Sequence, residues 1–289
     1  MIALSRGPFI CLGAGLALGV AMKPATADTR LAAHYSISMV GVSIGQLTWT
    51  VDVNAAPAGG GYRSAANGKA SGPLSIFVNG EGRVATQGAI SRAAPEESGE
   101  WHLGPRFFSS NVTDDGVTAG LQMIFEDGAV KTLRRDEPVP KDGRVPVSEA
   151  DLRGVVDPLS AMLIAAPNGG GTVLAAEACR RTLAIFDGQR RYDLVLSFKR
   201  ADTIKIERGY AGPVLVCAVV LHPIAGYRAD SVLVKYVSGR QGMEIWFAPI
   251  TGTPLAAPVQ LVMPTAVGTL EIVADRFEAA PANAGASKP

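Results

Sequence analysis

Short runs of alternating apolar and polar residues recur along most of the chain, separated by glycine-bearing turns, and this period of two constrains the fold more than any other feature. It belongs to antiparallel strands that bury one face. From Gln46 to Val53, residues Leu47, Trp49, Val51 and Val53 fall on one face, with Thr48, Thr50 and Asp52 on the other. Leu121 to Phe125, then Asp127-Gly128, then Ala129 to Leu133 reads as a hairpin, because Asp-Gly accepts the positive φ angles of a tight turn. A second hairpin runs from Cys179 to Phe198 around Asp187-Gly188. If those two residues form its loop, Phe186 pairs with Gln189, Leu183 faces Tyr192 and Cys179 faces Leu196. Cys179, Leu183, Ile185, Tyr192, Leu194 and Leu196 then share one face, which is the candidate core side.

Further strand candidates are His34 to Met39, Arg83 to Ile90, Phe107 to Val112, Thr203 to Glu207, Met243 to Ala248, Ala257 to Met263 and Thr269 to Phe277. With about a dozen strands, an open twisted sheet tends to curl, split or close. The expected fold is therefore mainly β: one large curved, wrapped antiparallel sheet, barrel-like or half-barrel. Helical signal is confined to the middle, where Asp157-Pro158 places a capping acid before proline at a first helical position. Leu159, Met162 and Leu163 follow at helical spacing until Pro167-Asn168-Gly169-Gly170-Gly171, which predicts a short central helix over Pro158 to Ala165 against the concave face. Pro138 to Pro146 is rich in proline and charge, but composition does not change across it. A single β-rich domain over residues 28–279 is expected, followed by a disordered tail, 280–289.

The first 27 residues read as a cleavable secretory signal peptide. Arg6 supplies the positive start, Phe9 to Met22 an uncharged apolar run, and Ala25-Thr26-Ala27 the small-x-small cleavage site. The rival is an uncleaved anchor. The run is glycine-broken and shorter than the roughly 20 apolar residues that a spanning helix needs. A lipid-modified Cys11 is disfavoured, since the apolar run follows it instead of preceding it. Cleavage would remove two of the 27 basic residues and none of the 26 acids, leaving 27 − 2 − 26 = −1, with both signs interspersed. No basic stripe offers the footprint that nucleic acid requires. The expected compartment is the periplasm, with the chain soluble after cleavage. In an oxidising compartment the two cysteines that remain, Cys179 and Cys217, form a natural disulfide pair, with two buried thiols as the alternative.

Nothing in the sequence carries a catalytic signature. The three histidines, His34, His102 and His222, lie in separate strand candidates without metal-ligand spacing. There is no G-x-S-x-G elbow, C-x-x-C pair, P-loop or dinucleotide fingerprint, so no enzyme activity, cofactor or metal is expected. Ser160 reads as a capping-region or helix-surface serine in preference to a nucleophile, and Arg190 and Arg191 beside Asp187-Gly188 as a solvated hairpin tip in preference to an anion site. Trp49, Trp101 and Trp246 sit in amphipathic runs, where they either fill a core or line a cavity. An apolar cleft is expected to be lined in part by Trp49, Leu183, Tyr192 and Trp246.

Several segments carry a family resemblance. Asp157-Pro158-Leu159-Ser160-Ala161, Cys179 to Leu183, and Phe186-Asp187-Gly188-Gln189-Arg190-Arg191-Tyr192-Asp193 resemble the exported bacterial family catalogued as domain of unknown function 3108. Tyr210-Ala211-Gly212-Pro213, Cys217, Pro223-Ile224-Ala225-Gly226-Tyr227 and Met243-Glu244-Ile245-Trp246 continue it, over about Tyr35 to Phe277. The resemblance implies a Gram-negative cell-envelope protein and supplies no activity. Two functions remain open. One is a binding or carrier protein for an apolar ligand such as a lipid chain; the other is an envelope structural or interaction protein with a packed interior and a protein partner.

Overall fold

The strands pair in an order that follows the chain almost everywhere, because each amphipathic run is joined to the next by a short turn. The computed structural model describes residues 29–56, 59–70, 80–93, 101–114, 116–136, 138, 143–167, 173–231, 234, 236, 238 and 242–282. The signal segment and the end of the tail lie outside these residues. A first meander comprises β1 (Thr29–Met39), β2 (Val42–Ala56), β3 (Gly59–Ala70), β4 (Glu81–Arg92), β5 (Trp101–Asp114), β6 (Val117–Glu126) and β7 (Ala129–Arg135). After the short β8 (Ile164–Ala165), a second comprises β9 (Arg181–Phe186), β10 (Arg191–Lys205), β12 (Ala211–Ala225), β13 (Met243–Pro249), β14 (Leu255–Thr265) and β15 (Gly268–Pro281), with β11 (Arg208–Gly209) a short strand between β10 and β12.

Antiparallel pairing of β1 with β15 joins the two meanders into one sheet of fifteen strands, thirteen of them ordered β7-β6-β5-β4-β3-β2-β1-β15-β14-β13-β12-β10-β9, with β8 added on β14 and β11 on β15. Two-residue periodicity carries over directly. On β2, Trp49, Val51 and Val53 are buried while Thr48 and Thr50 are not. Bulges bend the strands, among them one between Phe198 and Arg200 and one between Trp246 and Phe247, and this bending lets so long a sheet wrap.

The sheet does not close by strand pairing, since β7 and β9 are edges. Residues 153–156 lie across the gap instead. Arg153 bridges to Ala129 of β7, Gly154 N donates to Gly128 O, and Val156 exchanges backbone hydrogen bonds with Ala184 and Phe186 of β9. One end of each edge is thereby occupied, which shortens the stretch open to association. The Asp127-Gly128 turn forms as the sequence implies: Glu126 pairs with Ala129, with φ of 50° and 69° at the two loop residues.

Two expectations are corrected. No central helix forms among the described residues; Ser160–Met162 makes one 3-10 turn, and Leu163 is already extended. Ile164 and Ala165 pair instead with Ala256 and Leu255 of β14, and tertiary pairing overrides a weak local preference. The second hairpin has a four-residue loop, with Phe186 opposite Arg191 and Leu183 opposite Leu194. Asp187 Oδ1 accepts the backbone N–H groups of Gln189 and Arg190, which fixes the longer loop. Since the register moves by two, Leu183, Ile185, Tyr192, Leu194 and Leu196 still share one face.

Candidate functional site

Beyond the gap-crossing segment the chain turns into the interior at Asp157, where buried backbone donors need acceptors. The Asp157 side chain supplies them. It is fully buried; its Oδ1 accepts Leu159 N at 3.0 Å and Ser160 N at 2.9 Å, and its Oδ2 accepts Ser160 Oγ at 2.5 Å and Thr86 Oγ1 at 2.9 Å. Tyr62 of β3 places its hydroxyl 2.7 Å from Ser160 Oγ, and Thr86 of β4 also reaches the Phe107 carbonyl of β5. Tyr62 can lie flat there because Gly88 faces it across the β3–β4 pair. A β-carbon at position 88 would stand 2.7 Å from the Tyr62 ring and press into the Gly104 carbonyl.

Burial pushes the Asp157 carboxyl above its ordinary range, and the hydrogen bonds from Ser160 and Thr86 pull the other way. Burial also raises the Tyr62 hydroxyl. Ser160 is therefore neither a helix-surface residue nor an accessible nucleophile: all of its polar neighbours are within the chain, and it is 2% exposed. The cluster pins the inserted segment to β3 and β4 of the first meander.

Around this insertion the structure leaves two open cavities. One, of about 390 Å³, is lined chiefly by apolar side chains of the second meander: Tyr192, Leu194, Leu221, Ile245, Leu261 and Met263, with Met162 from the inserted segment. Several of these are only half-buried, so the apolar face here is uncovered. Tyr227 stands at the rim, its hydroxyl pushed up to about 12 mainly by burial, with the Arg190 guanidinium 5.9 Å from its ring centre. The other cavity, about 660 Å³, lies between β4, β5, β6 and the Asp187–Arg190 tip. That tip is not free in solvent. Gly188 is buried, and Leu121 packs so closely on it that a β-carbon there would overlap the leucine.

The four residues expected at a cleft do not converge on one. Tyr192 lines the smaller cavity. Leu183 sits opposite Leu194 and packs against the cluster around Cys179 and Cys217, beside that cavity without lining it. Trp49 is core, its indole N–H donating to Ser64 Oγ at 2.6 Å. Trp246 projects on the side of β13 opposite Ile245, stacked under the Arg200 guanidinium at 4.7 Å and donating to Glu244. Alternation placed each on a face, but which stretch of a face stays uncovered depends on distant segments.

Cys179 and Cys217 are joined in a disulfide, with Cα atoms 5.5 Å apart and both side chains fully buried. Cys179 ends a 3-10 turn, Ala176–Cys179, packed on β10 and β12; the strand position read from the sequence is not taken up. The bridge lies in the cluster that contains Val219, Met243 and Ile245, three walls of the smaller cavity.

The family model DUF3108, described as a protein of unknown function, matches residues 34–275. No curated protein matches the chain. Among solved structures it is similar to a β-barrel-like protein of the domain of unknown function DUF1849 from Brucella abortus. The two are 9% identical with a TM-score of 0.45, over 88% of this chain and 98% of that one.

Proposed function

We propose that this chain, which belongs to the DUF3108 family, is an exported cell-envelope protein that holds an apolar ligand such as a lipid chain in the smaller cavity. The observation that carries this reading is the gathering of half-buried apolar side chains, Leu194, Leu221, Leu261 and Met263, around one cavity. A volume of about 390 Å³ lies within the range of small-molecule sites, roughly 300–1,000 Å³. Methionines at 162, 243 and 263 suit a ligand of variable shape, because their unbranched side chains repack at little cost.

A neutral apolar fluorophore should bind the folded, delipidated protein saturably and be displaced by fatty acid. Leu261→Arg, at a half-buried wall position, should weaken that binding at least tenfold, whereas Lys205→Glu on an exposed strand end should not. Absence of saturable binding would remove the carrier reading and leave the protein-partner one.

Export is supported by the N-terminal signal pattern and by a buried disulfide, which suits an oxidising compartment. Intact mass of the periplasmic protein should correspond to a chain beginning at Asp28. Retention of Met1 to Ala27 in a membrane fraction would contradict this.

A further inference from the structure

We infer that two adjoining hairpin loops, Val40-Gly41 between β1 and β2 and Ala266-Val267 between β14 and β15, form a docking surface for a lipid layer, entered to the depth of the acyl chains. The inference does not depend on what either cavity binds. Because β1 pairs with β15, the two loops stand side by side: Val40 N donates to Thr269 O at 2.9 Å, and a β-carbon on Gly268 would run into Val40 Cγ2. Three exposed apolar side chains gather here, Val40 at 64%, Val42 at 47% and Val267 at 76%. Tight turns are ordinarily polar, and an apolar group left open at two neighbouring turns marks a contact.

Turn chemistry singles out Val40. With Met39 opposite Val42 the loop has two residues, at φ of 52° and 77°, a geometry that favours Asn-Gly or Asp-Gly. At the opposite end of the sheet the β6–β7 loop takes it with Asp127-Gly128, at 50° and 69°. A β-branched residue avoids this region, and Val40 is largely exposed, so it serves neither the turn nor the core.

Charge and hydrogen bonding favour lipid over a protein partner. No side chain from Ile37 to Gly45 or from Leu261 to Leu270 is ionisable, so lowering the loops into an apolar layer desolvates none of their own charges. Polar groups that enter with the valines are partnered within the chain. Val40 N has Thr269 O, Val267 N donates to Thr265 Oγ1 at 3.3 Å, Thr265 Oγ1 donates to Gly268 O at 2.7 Å, and Tyr236 donates its hydroxyl to Thr265 O at 3.0 Å. Backbone entering hydrocarbon needs such internal pairing. The tryptophan and arginine anchors that carry many protein interfaces are missing from both loops. β14 also leads from Leu261 and Met263, walls of the smaller cavity, directly to the Ala266-Val267 loop.

The test is co-flotation of the purified protein with phosphatidylcholine vesicles, read alongside an environment-sensitive dye attached to Val267→Cys. Emission of the dye should move to shorter wavelength when vesicles are added, and the same dye on Lys205→Cys, at the other end of the sheet, should not respond. Flotation should persist at high salt, since no charge in the loops carries it. Val40→Asn with Val267→Asn should lower vesicle partitioning at least tenfold. Val40→Asn alone should weaken partitioning yet raise the thermal midpoint by about 2 °C, because asparagine accepts the turn. That opposite sign separates docking from a structural role. No flotation, flotation only with phosphatidylglycerol that high salt abolishes, or an unaffected double variant would each overturn the inference. So would self-association without vesicle binding that the double variant abolishes, which would assign the loops to a second copy of the chain. Neutral-fluorophore binding in the cleft should be unchanged in the double variant, so failure of one reading is separable from failure of the other.

Discussion

Replacing Asp157 with alanine is expected to lower the free energy of unfolding by about 4 kcal/mol, among the largest single-residue losses in this chain. The buried carboxylate accepts from two backbone amides and two hydroxyls. Thr86 can fall back on the Phe107 carbonyl, but Leu159 N and Ser160 N have no other named acceptor, and each stranded buried donor costs about 1–3 kcal/mol. Asp157→Asn keeps an oxygen for the two amides and should lose only about 1–2 kcal/mol at neutral pH, through rearranged hydroxyl donors. Denaturant unfolding of the three proteins at pH 7 measures the difference, and equal losses for the two variants would show that the side chain is not the acceptor on which the insertion depends.

The pH dependence gives a second readout of the same residue. Burial raises the folded-state pKa of Asp157 above its unfolded value, so between the two values the native state holds more protons than the unfolded state. The proton-linked part of the Asp157 contribution is thus fully present below the ordinary carboxylate range and is lost as pH rises through the raised value, whereas the two backbone amides keep their acceptor. Asp157→Asn should flatten that part of the stability profile. If it does not, the shift belongs to another group.

What was legible in the sequence was local. Alternation gave the faces of β2 and β10 because side-chain direction in a strand is set residue by residue. The Asp127-Gly128 hairpin was legible for the same reason. At Asp187 the same dipeptide misled, since the aspartate side chain captured two amides and lengthened the loop, and the face survived only because the register moved by an even number. The helix expected after Pro158 failed because the competing interactions come from far away in the chain. Tyr62 reaches Ser160 across 98 residues, and Ala165 pairs with Leu255. Asp157-Pro158 was read as a cap, and the aspartate does accept two early amides, but nothing nearby signals Thr86 or Tyr62. The larger cavity stayed hidden likewise, since its walls come together only when the hairpin tip docks on Leu121.

Removing the Cys179–Cys217 bridge, as Cys179→Ala with Cys217→Ala, should destabilise the protein by roughly 4 kcal/mol, on the loop-entropy relation for a 38-residue separation. The bridge staples the turn ahead of β9, an edge strand with one strand partner, to β12 inside the sheet. Without it the unfolded chain gains freedom while the native contacts of Ala178, Leu196 and Val219 remain, so the loss should come mainly through the unfolded state. Both sulfurs are buried, and reductant should act at a rate limited by opening of this region, slow in native buffer and fast in denaturant. Urea unfolding of the oxidised protein and the double variant measures the first effect, and thiol trapping over time the second. A variant of unchanged stability, or oxidised protein whose thiols appear at once in native buffer, would mean that the bridge does not hold the β9 edge in place.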